Sequence, residues 1–176
     1  VESQRKGALQ LVFCDTSTPN NDCWNAYDDL RDRLVERGLS PASIAFAHEA
    51  NDDRQKARLF EACRSGEVSV LVASTAKAGV ATNIQDRAIA LHHLDCPWRP
   101  VDIEQREGRV RRQGNQNKEV SIFNYVTEQT FDAYIWQTVE RKAAFIAQVL
   151  HGDGLDREIE DISTDALSYA EVKAIA

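Results

Sequence analysis

Val68-Ser69-Val70-Leu71-Val72-Ala73 runs directly into Ser74-Thr75-Ala76-Lys77-Ala78-Gly79-Val80-Ala81-Thr82-Asn83-Ile84. The first six residues are the most β-branched of the apolar runs in the chain, a composition that fits a strand. The residues that follow are small and include a glycine where a strand would pass into a helix. A turn of that kind lets a backbone approach closely with N–H groups outward, so it can hold a phosphate or a nucleic-acid backbone. The same residues also suit a plain tight turn with a helix start.

Outward from this stretch, apolar runs and helical patterns alternate. Residues 9–14, 43–47, 88–94 and 120–126 read as four further strands. Trp24, Tyr27, Leu30 and Leu34 recur at helical spacing, and Gly38 stops that helix. Asp52 can cap the next helix, with Leu59, Phe60 and Cys63 on its apolar face and Gly66 at its end. Pro100 suits the first turn of a helix running to about Arg112. Phe131, Ile135, Val139, Ala143, Ile146 and Leu150 mark a long amphipathic helix. Strands separated by helices imply an α/β fold, a parallel sheet with helices on both faces, and ligands at the carboxyl ends of its strands. The loops expected to matter follow Ala73, Leu94 and Val126. Residues 8–150 form the expected lobe, residues 151–154 read as a linker, and 155–176 as an acidic extension.

At 176 residues the chain fits one domain, with a net charge of −7. That charge argues against a bulk electrostatic DNA binder. It is unevenly spread: residues 151–176 hold seven acids and two bases, while the rest of the chain has 21 acids to 19 bases. Five arginines sit between positions 99 and 112, so local clusters must carry any anion chemistry. The chain starts at Val1 rather than Met, as an excised piece of a longer protein would. It has neither a signal-peptide pattern nor an apolar run long enough to span a membrane. Cys14, Cys23, Cys63 and Cys96 form no C-x-x-C pair, and three lie in or beside apolar runs, which points to a reducing, cytoplasmic compartment. His92, His93 and Cys96 make a poor metal set, because neighbouring residues on a strand point to opposite faces. No metal site is expected.

Gln105-Arg106-Glu107-Gly108-Arg109-Val110-Arg111-Arg112-Gln113-Gly114 carries the strongest charge pattern. Arg109 and Arg112 are three apart, which on a helix puts both guanidinium groups on one face. They repel unless they meet an anion, and a guanidinium fork matches a phosphate. The other reading is a solvated basic helix pairing with Asp102 and Glu104. That reading leaves the helix-weakening Gly108 unexplained.

Gln105, Gly108, Arg109 and Arg112 resemble motif VI of the superfamily-two helicases. Residues 74–84 resemble motif V, Leu11-Val12-Phe13-Cys14 resembles motif IV, and Gln55-Lys56-Ala57-Arg58 resembles the family's Q-x-x-R element. All four stand in family order across roughly residues 9–150. Asp52 and Gln55 would also make a variant capping box. Asp95-Cys96-Pro97-Trp98-Arg99-Pro100 and Gly114-Asn115-Gln116 are similar to stretches of the Swi/Snf-type DNA translocases. An inserted Ala before Lys77, and Ala81 in place of a usual Gly, depart from that pattern. The tail at 165–174 faintly resembles phage- or plasmid-borne helicases fused to adenine methylases.

The resemblance implies a RecA-like second lobe of the P-loop NTPase type, without its own Walker A loop. No G-x-x-x-x-G-K-[ST] or D-E-x-H run occurs in the chain. ATP and Mg2+ would be bound together with a missing N-terminal RecA-like lobe, and this piece alone would neither bind ATP tightly nor hydrolyse it. Arg112 would be the arginine finger with Arg109 beside it, both catalytic. Gly79, Asn83 and Gln105 would join them around the nucleotide. Ser74, Thr75, Lys77 and Trp98 would contact nucleic acid, with double-stranded DNA favoured. A non-catalytic RecA-like module that grips nucleic acid or protein is the competing class. A small hydrolase is disfavoured by the absence of a G-x-S-x-G elbow.

Overall fold

The computed structural model describes residues 7–19, 24–78 and 84–151. The expectations for Gly79 and Asn83, and for the acidic extension 155–176, lie outside these residues, as does Cys23. In chain order the elements are β1 (Leu9–Phe13), α1 (Ala26–Glu36), β2 (Ile44–Phe46), α2 (Asp53–Ser65), β3 (Val70–Ala73), the single turn α3 (Thr75–Ala78), β4 (Ala88–His93), α4 (Pro100–Glu107), β5 (Ser121–Asn124) and α5 (Phe131–His151). The five strands make one sheet in the order β2-β3-β1-β4-β5, and every pairing is parallel.

β1 is buried along its whole length because it is central and covered on both faces. On one face α2 brings Leu59, Phe60 and Cys63 against Leu11, Leu71 and Leu91. On the other, Tyr27, Leu30 and Leu34 of α1 cover Val12, Phe46 and Val72. Asn25 caps α1 by accepting from the Asp28 amide at 2.9 Å. Asp52 and Gln55 form a reciprocal capping box at the start of α2, so the local reading of Gln55 is the one its contacts show.

Two features of this topology place the site. The chain leaves β1 toward β2 on one side and leaves β4 toward β5 on the other. The carboxyl ends of these adjacent strands therefore flank a point where the winding direction changes, and ligands gather at such points. The register then fixes what stands there. Phe13 is aligned with Ala73 on one side and with His93 on the other. Two residues further along each strand come Asp15, Thr75 and Asp95.

One expectation needs correction. The helix begun by Pro100 ends at Glu107, not near Arg112. Gly108 is its C-cap, and a Cβ there would lie 2.9 Å from the Glu104 carbonyl oxygen. Gly108 therefore marks where the chain turns away, which explains the glycine that a continuous helix could not. Along the apolar stripe of α5, Ile135 and Val139 are buried, but Phe131 and Ile146 are exposed. The apolar run at 120–126 is an edge strand and its exit, with Phe123, Tyr125 and Val126 exposed. Trp24 is likewise exposed, just ahead of α1.

The chain turns after α2 at Gly66, where φ is +85° and a Cβ would stand 2.8 Å from the Gly7 Cα. Gly38, after α1, has φ +96° but open space around it. Alanine at either position carries left-handed strain of about 1–2 kcal/mol. Gly66→Ala adds a backbone collision that Gly38→Ala lacks. Urea denaturation is expected to show a clearly larger stability loss for Gly66→Ala, and equal losses would mean the approach of Gly7 to Gly66 is wrong.

Candidate functional site

The side chain at the centre of the carboxyl-end loops is Arg106, which is 1% exposed. It enters from α4, near the end of that helix. A guanidinium has five N–H donors, and each has an acceptor here. Nε donates to the Thr75 hydroxyl at 2.8 Å. Nη1 donates to the Asp95 carbonyl at 3.0 Å and to His93 Nδ1 at 3.2 Å. Nη2 donates to Asp15 at 2.7 Å and to Asp95 Oδ1 at 3.2 Å. One buried cation thus binds the loops after β1, β3 and β4 to α4.

The carboxylates are held from their other sides. Asp15 accepts from the Thr75 amide at 2.6 Å and from its hydroxyl at 2.7 Å. Burial alone would raise the Asp15 pKa, but these bonds and the Arg106 charge hold it below the usual carboxylate range. Asp95 Oδ2 accepts from the amides of Asp15 and Thr16, at 2.5 and 2.7 Å, and from the Thr16 hydroxyl at 3.0 Å. Removing Arg106 would leave two acids facing each other in a part-buried site, a change that typically costs about 3–5 kcal/mol.

His93 completes the cluster from the sheet. Its side chain is fully buried, stacks on Phe13 at 6.3 Å and meets Trp136 of α5 edge-on at 5.8 Å. Burial first, and Arg106 second, push its pKa down to about 4. It is therefore neutral at pH 7 and accepts at Nδ1 from Arg106. Its neighbour His92 turns the other way, to Gln10 and Tyr125, both at 3.0 Å. Burial pushes the Cys63 and Cys96 thiols up to about 12, which keeps them from acting as thiolate nucleophiles.

Past Gly108 the chain makes a turn that carries the other arginines. Arg109 is partly buried and lines a small apolar recess with Leu11, Phe13, Ala47, Leu71 and Ile84. Burial, and then the like charge of Arg112, lower its pKa. Arg112 is exposed. Arg111 is paired with Glu107 at 2.9 Å. The two arginines expected to act together are thus electrostatic neighbours, but a turn brings them together rather than a helix face. The far side of the turn is tied down where Gln85 donates to the Gln113 carbonyl at 3.2 Å and Asn115 to the Ala88 carbonyl at 2.9 Å.

The remaining expected residues are placed unevenly. Ser74 accepts from the Lys77 amide at 3.2 Å, and Lys77 is exposed. Thr75 stands in the loop after β3, where Asp15 and Arg106 engage its hydroxyl and Asp15 its amide, so a ligand there would compete with an internal network. Gln105 is exposed on α4. Trp98 is 55% exposed and leans on Phe131 at 5.7 Å, a contact with α5 rather than with the arginine turn. Arg106, Asp15, Asp95 and His93 were not among the expected residues. Their one sequence signal is the matching placement of Asp15 and Asp95 just beyond two apolar strands, with an arginine inside the Q-x-x-G-R run.

A five-stranded parallel sheet covered by helices, with a buried arginine cluster at the carboxyl ends of its strands, defines a RecA-like lobe. The description "Helicase conserved C-terminal domain" matches residues 2–114, and the chain belongs to that family. It is 33% identical over 98 residues to the "Defense against restriction protein B" of Escherichia phage P1, covering 56% of this chain and 4% of that protein. It is also 33% identical over 128 residues to the "ATP-dependent helicase fft2" of Schizosaccharomyces pombe, covering 71% of this chain and 10% of that protein. The chain therefore spans a small fraction of either relative. The crystal structure of the C-terminal part of the Fun30 ATPase domain shares the fold, with a TM-score of 0.60 at 20% identity over 75% of this chain and 39% of that one. Among the described residues, no helix is long and apolar enough to cross a membrane.

The His93 pKa has a consequence for stability. An unfolded chain protonates this residue near 6.5, the folded one only near about 4. Between those values the unfolded state binds more protons, so stability falls as the pH is lowered. Burial lowers His48 and His92 in the same direction, so His93→Gln is expected to flatten the dependence without abolishing it. Urea midpoints at pH 7.5 and pH 5 check this. Identical losses in the wild type and His93→Gln would contradict a buried neutral His93.

Proposed function

We propose that this lobe supplies the cationic half of an ATPase site in a DNA translocase or helicase, completed by an N-terminal RecA-like lobe of the same protein. The observation that carries this reading is the neighbourhood of Arg109. It lines a recess with Ala73, the last residue of β3, Arg112 is near enough to lower its pKa, and Arg106 of the preceding helix binds Thr75 in the loop after β3. Two neighbouring arginines fit an anion, and a guanidinium fork fits a phosphate oxygen pair.

In this reading Arg112 is the finger and Arg109 stands beside it. When the γ-phosphoryl group is transferred, charge is redistributed over its oxygens, and a cation already in place stabilises the transition state more than the bound triphosphate. Gln105, Gly79 and Asn83 would border the same nucleotide. Among the described residues no cluster of three or more His, Cys, Asp or Glu could hold a metal ion. The Mg2+ that neutralises phosphate charge would be held by the partner lobe together with the triphosphate. Ser74, Lys77 and the backbone around Thr75 would meet the DNA backbone, and Trp98 would offer an exposed ring. Double-stranded DNA is the favoured substrate through the Swi/Snf-type likeness of residues 95–100 and 114–116.

In the full-length protein, Arg112→Ala is expected to lower DNA-stimulated ATPase by roughly three powers of ten, about 4 kcal/mol of transition-state stabilisation. The affinity for ATP should change far less. Arg111→Ala removes only the surface pair with Glu107 and should leave turnover close to wild type. Steady-state ATPase assays with saturating DNA check both. Normal turnover in Arg112→Ala, or its loss in Arg111→Ala alone, would contradict the assignment.

A further inference from the structure

We infer that Arg106 is a positioning residue that couples the DNA-facing loop at 74–77 to the arginine turn at 108–112. The inference rests on the reading above. It adds that occupancy of the first loop is passed to the second through one side chain.

Three observations carry it. First, Arg106 is the bridge itself. Its Nε holds Thr75, while its own helix leads three residues later to Arg109 and six residues later to Arg112. Second, the guanidinium is a rigid plane with every donor engaged. It cannot tilt to follow one partner without loosening others. A phosphate that draws Thr75 away from Asp15 must therefore move Arg106 or break its bonds. Third, the short turn between α4 and Arg112 has little slack. Gly108 packs on the Glu104 carbonyl, and the exit is tied to Gln85 and Ala88. A shift of α4 at Arg106 is thereby delivered to Arg109 and Arg112 rather than absorbed.

Lysine at this position would keep the positive charge against Asp15 and Asp95. Its single ammonium cannot reach Thr75, His93 and the Asp95 carbonyl together. Asp15→Asn disturbs the same cluster from the other end, because its NH2 group would face either the Arg106 donor and the Thr75 hydroxyl together or the Thr75 amide, in each case a donor against a donor. The test uses the full-length protein, with Arg106→Lys and Asp15→Asn compared with wild type. ATPase is measured with and without a linear double-stranded DNA of mixed sequence.

Both variants are expected to lose at least ten-fold of the DNA stimulation. In both variants the stimulated rate should fall several-fold further than the unstimulated rate. Folded variants that keep the wild-type stimulation overturn the inference. So do variants whose stimulated and unstimulated rates fall in the same proportion, the mark of a merely structural role. A wild type that DNA does not stimulate at all overturns the motor reading itself. A second measurement needs no variant: hydrogen exchange of the wild type on adding DNA alone. Slowed exchange in both 74–77 and 108–112 is expected, and a change confined to 74–77 overturns the coupling.

Discussion

A guanidinium buried to 1% exposure cannot leave an N–H unmet without a large cost in free energy. Arg106 satisfies that constraint only because three parallel strands end in step. Asp15, Thr75 and Asp95 each stand two residues beyond aligned positions of β1, β3 and β4. A slip of one residue between any two of these strands would turn one acceptor to the wrong side. The cluster and the register therefore specify each other, and α4 is docked by the same cation. Because the register is set by burial of β1 and β3 on both faces, the hydrophobic core and the polar cluster are parts of one arrangement.

What lies outward from the cluster follows from where α4 stops. A helix continued to Arg112 would carry Arg109 and Arg112 along a fixed face. Its end at Glu107 instead leads into a turn where Arg109 lines an apolar recess and Arg112 stays in solvent, with the exit bonded to Asp86 and Ala88 at the start of β4. Burial first, and then the like charge of Arg112, depress the pKa of Arg109. The competing demand, that Thr75 both contact a ligand and satisfy Asp15 and Arg106, is what would make the loop responsive rather than merely adhesive.

Much of the fold was legible from pattern alone. Residues 68–73 and 9–14 are apolar runs too short for helices and bounded by turn residues, and they became central strands. Asp52, Gly38 and Gly66 marked helix ends by local chemistry, and the structure places them so. The misreading, at the end of α4, has a local cause. Gly108 was weighed as a flaw inside a helix when it was the end of one. The runs at 120–126 and along α5 have apolar residues whose exposure depends on which strand lies at the edge, and periodicity carries no information on that. Of the candidate site, the motif resemblance points to Arg109, Arg112 and the 74–77 loop. Arg106 was not, because it is one of five arginines in a short span and its partners are 11, 31 and 91 residues away. Only the strand register brings those positions together.

The most direct test of this account observes the Arg106 guanidinium itself. Nitrogen-15 NMR of the chain, with the Arg106 Nε–H signal assigned by its loss in Arg106→Lys, reports how that proton exchanges with solvent. The network described here requires a strongly protected Nε–H that loses protection in Thr75→Val, which removes only the hydroxyl that accepts it. An Arg106 Nε–H exchanging at the rate of an exposed arginine, or one indifferent to Thr75→Val, would contradict the account at its centre.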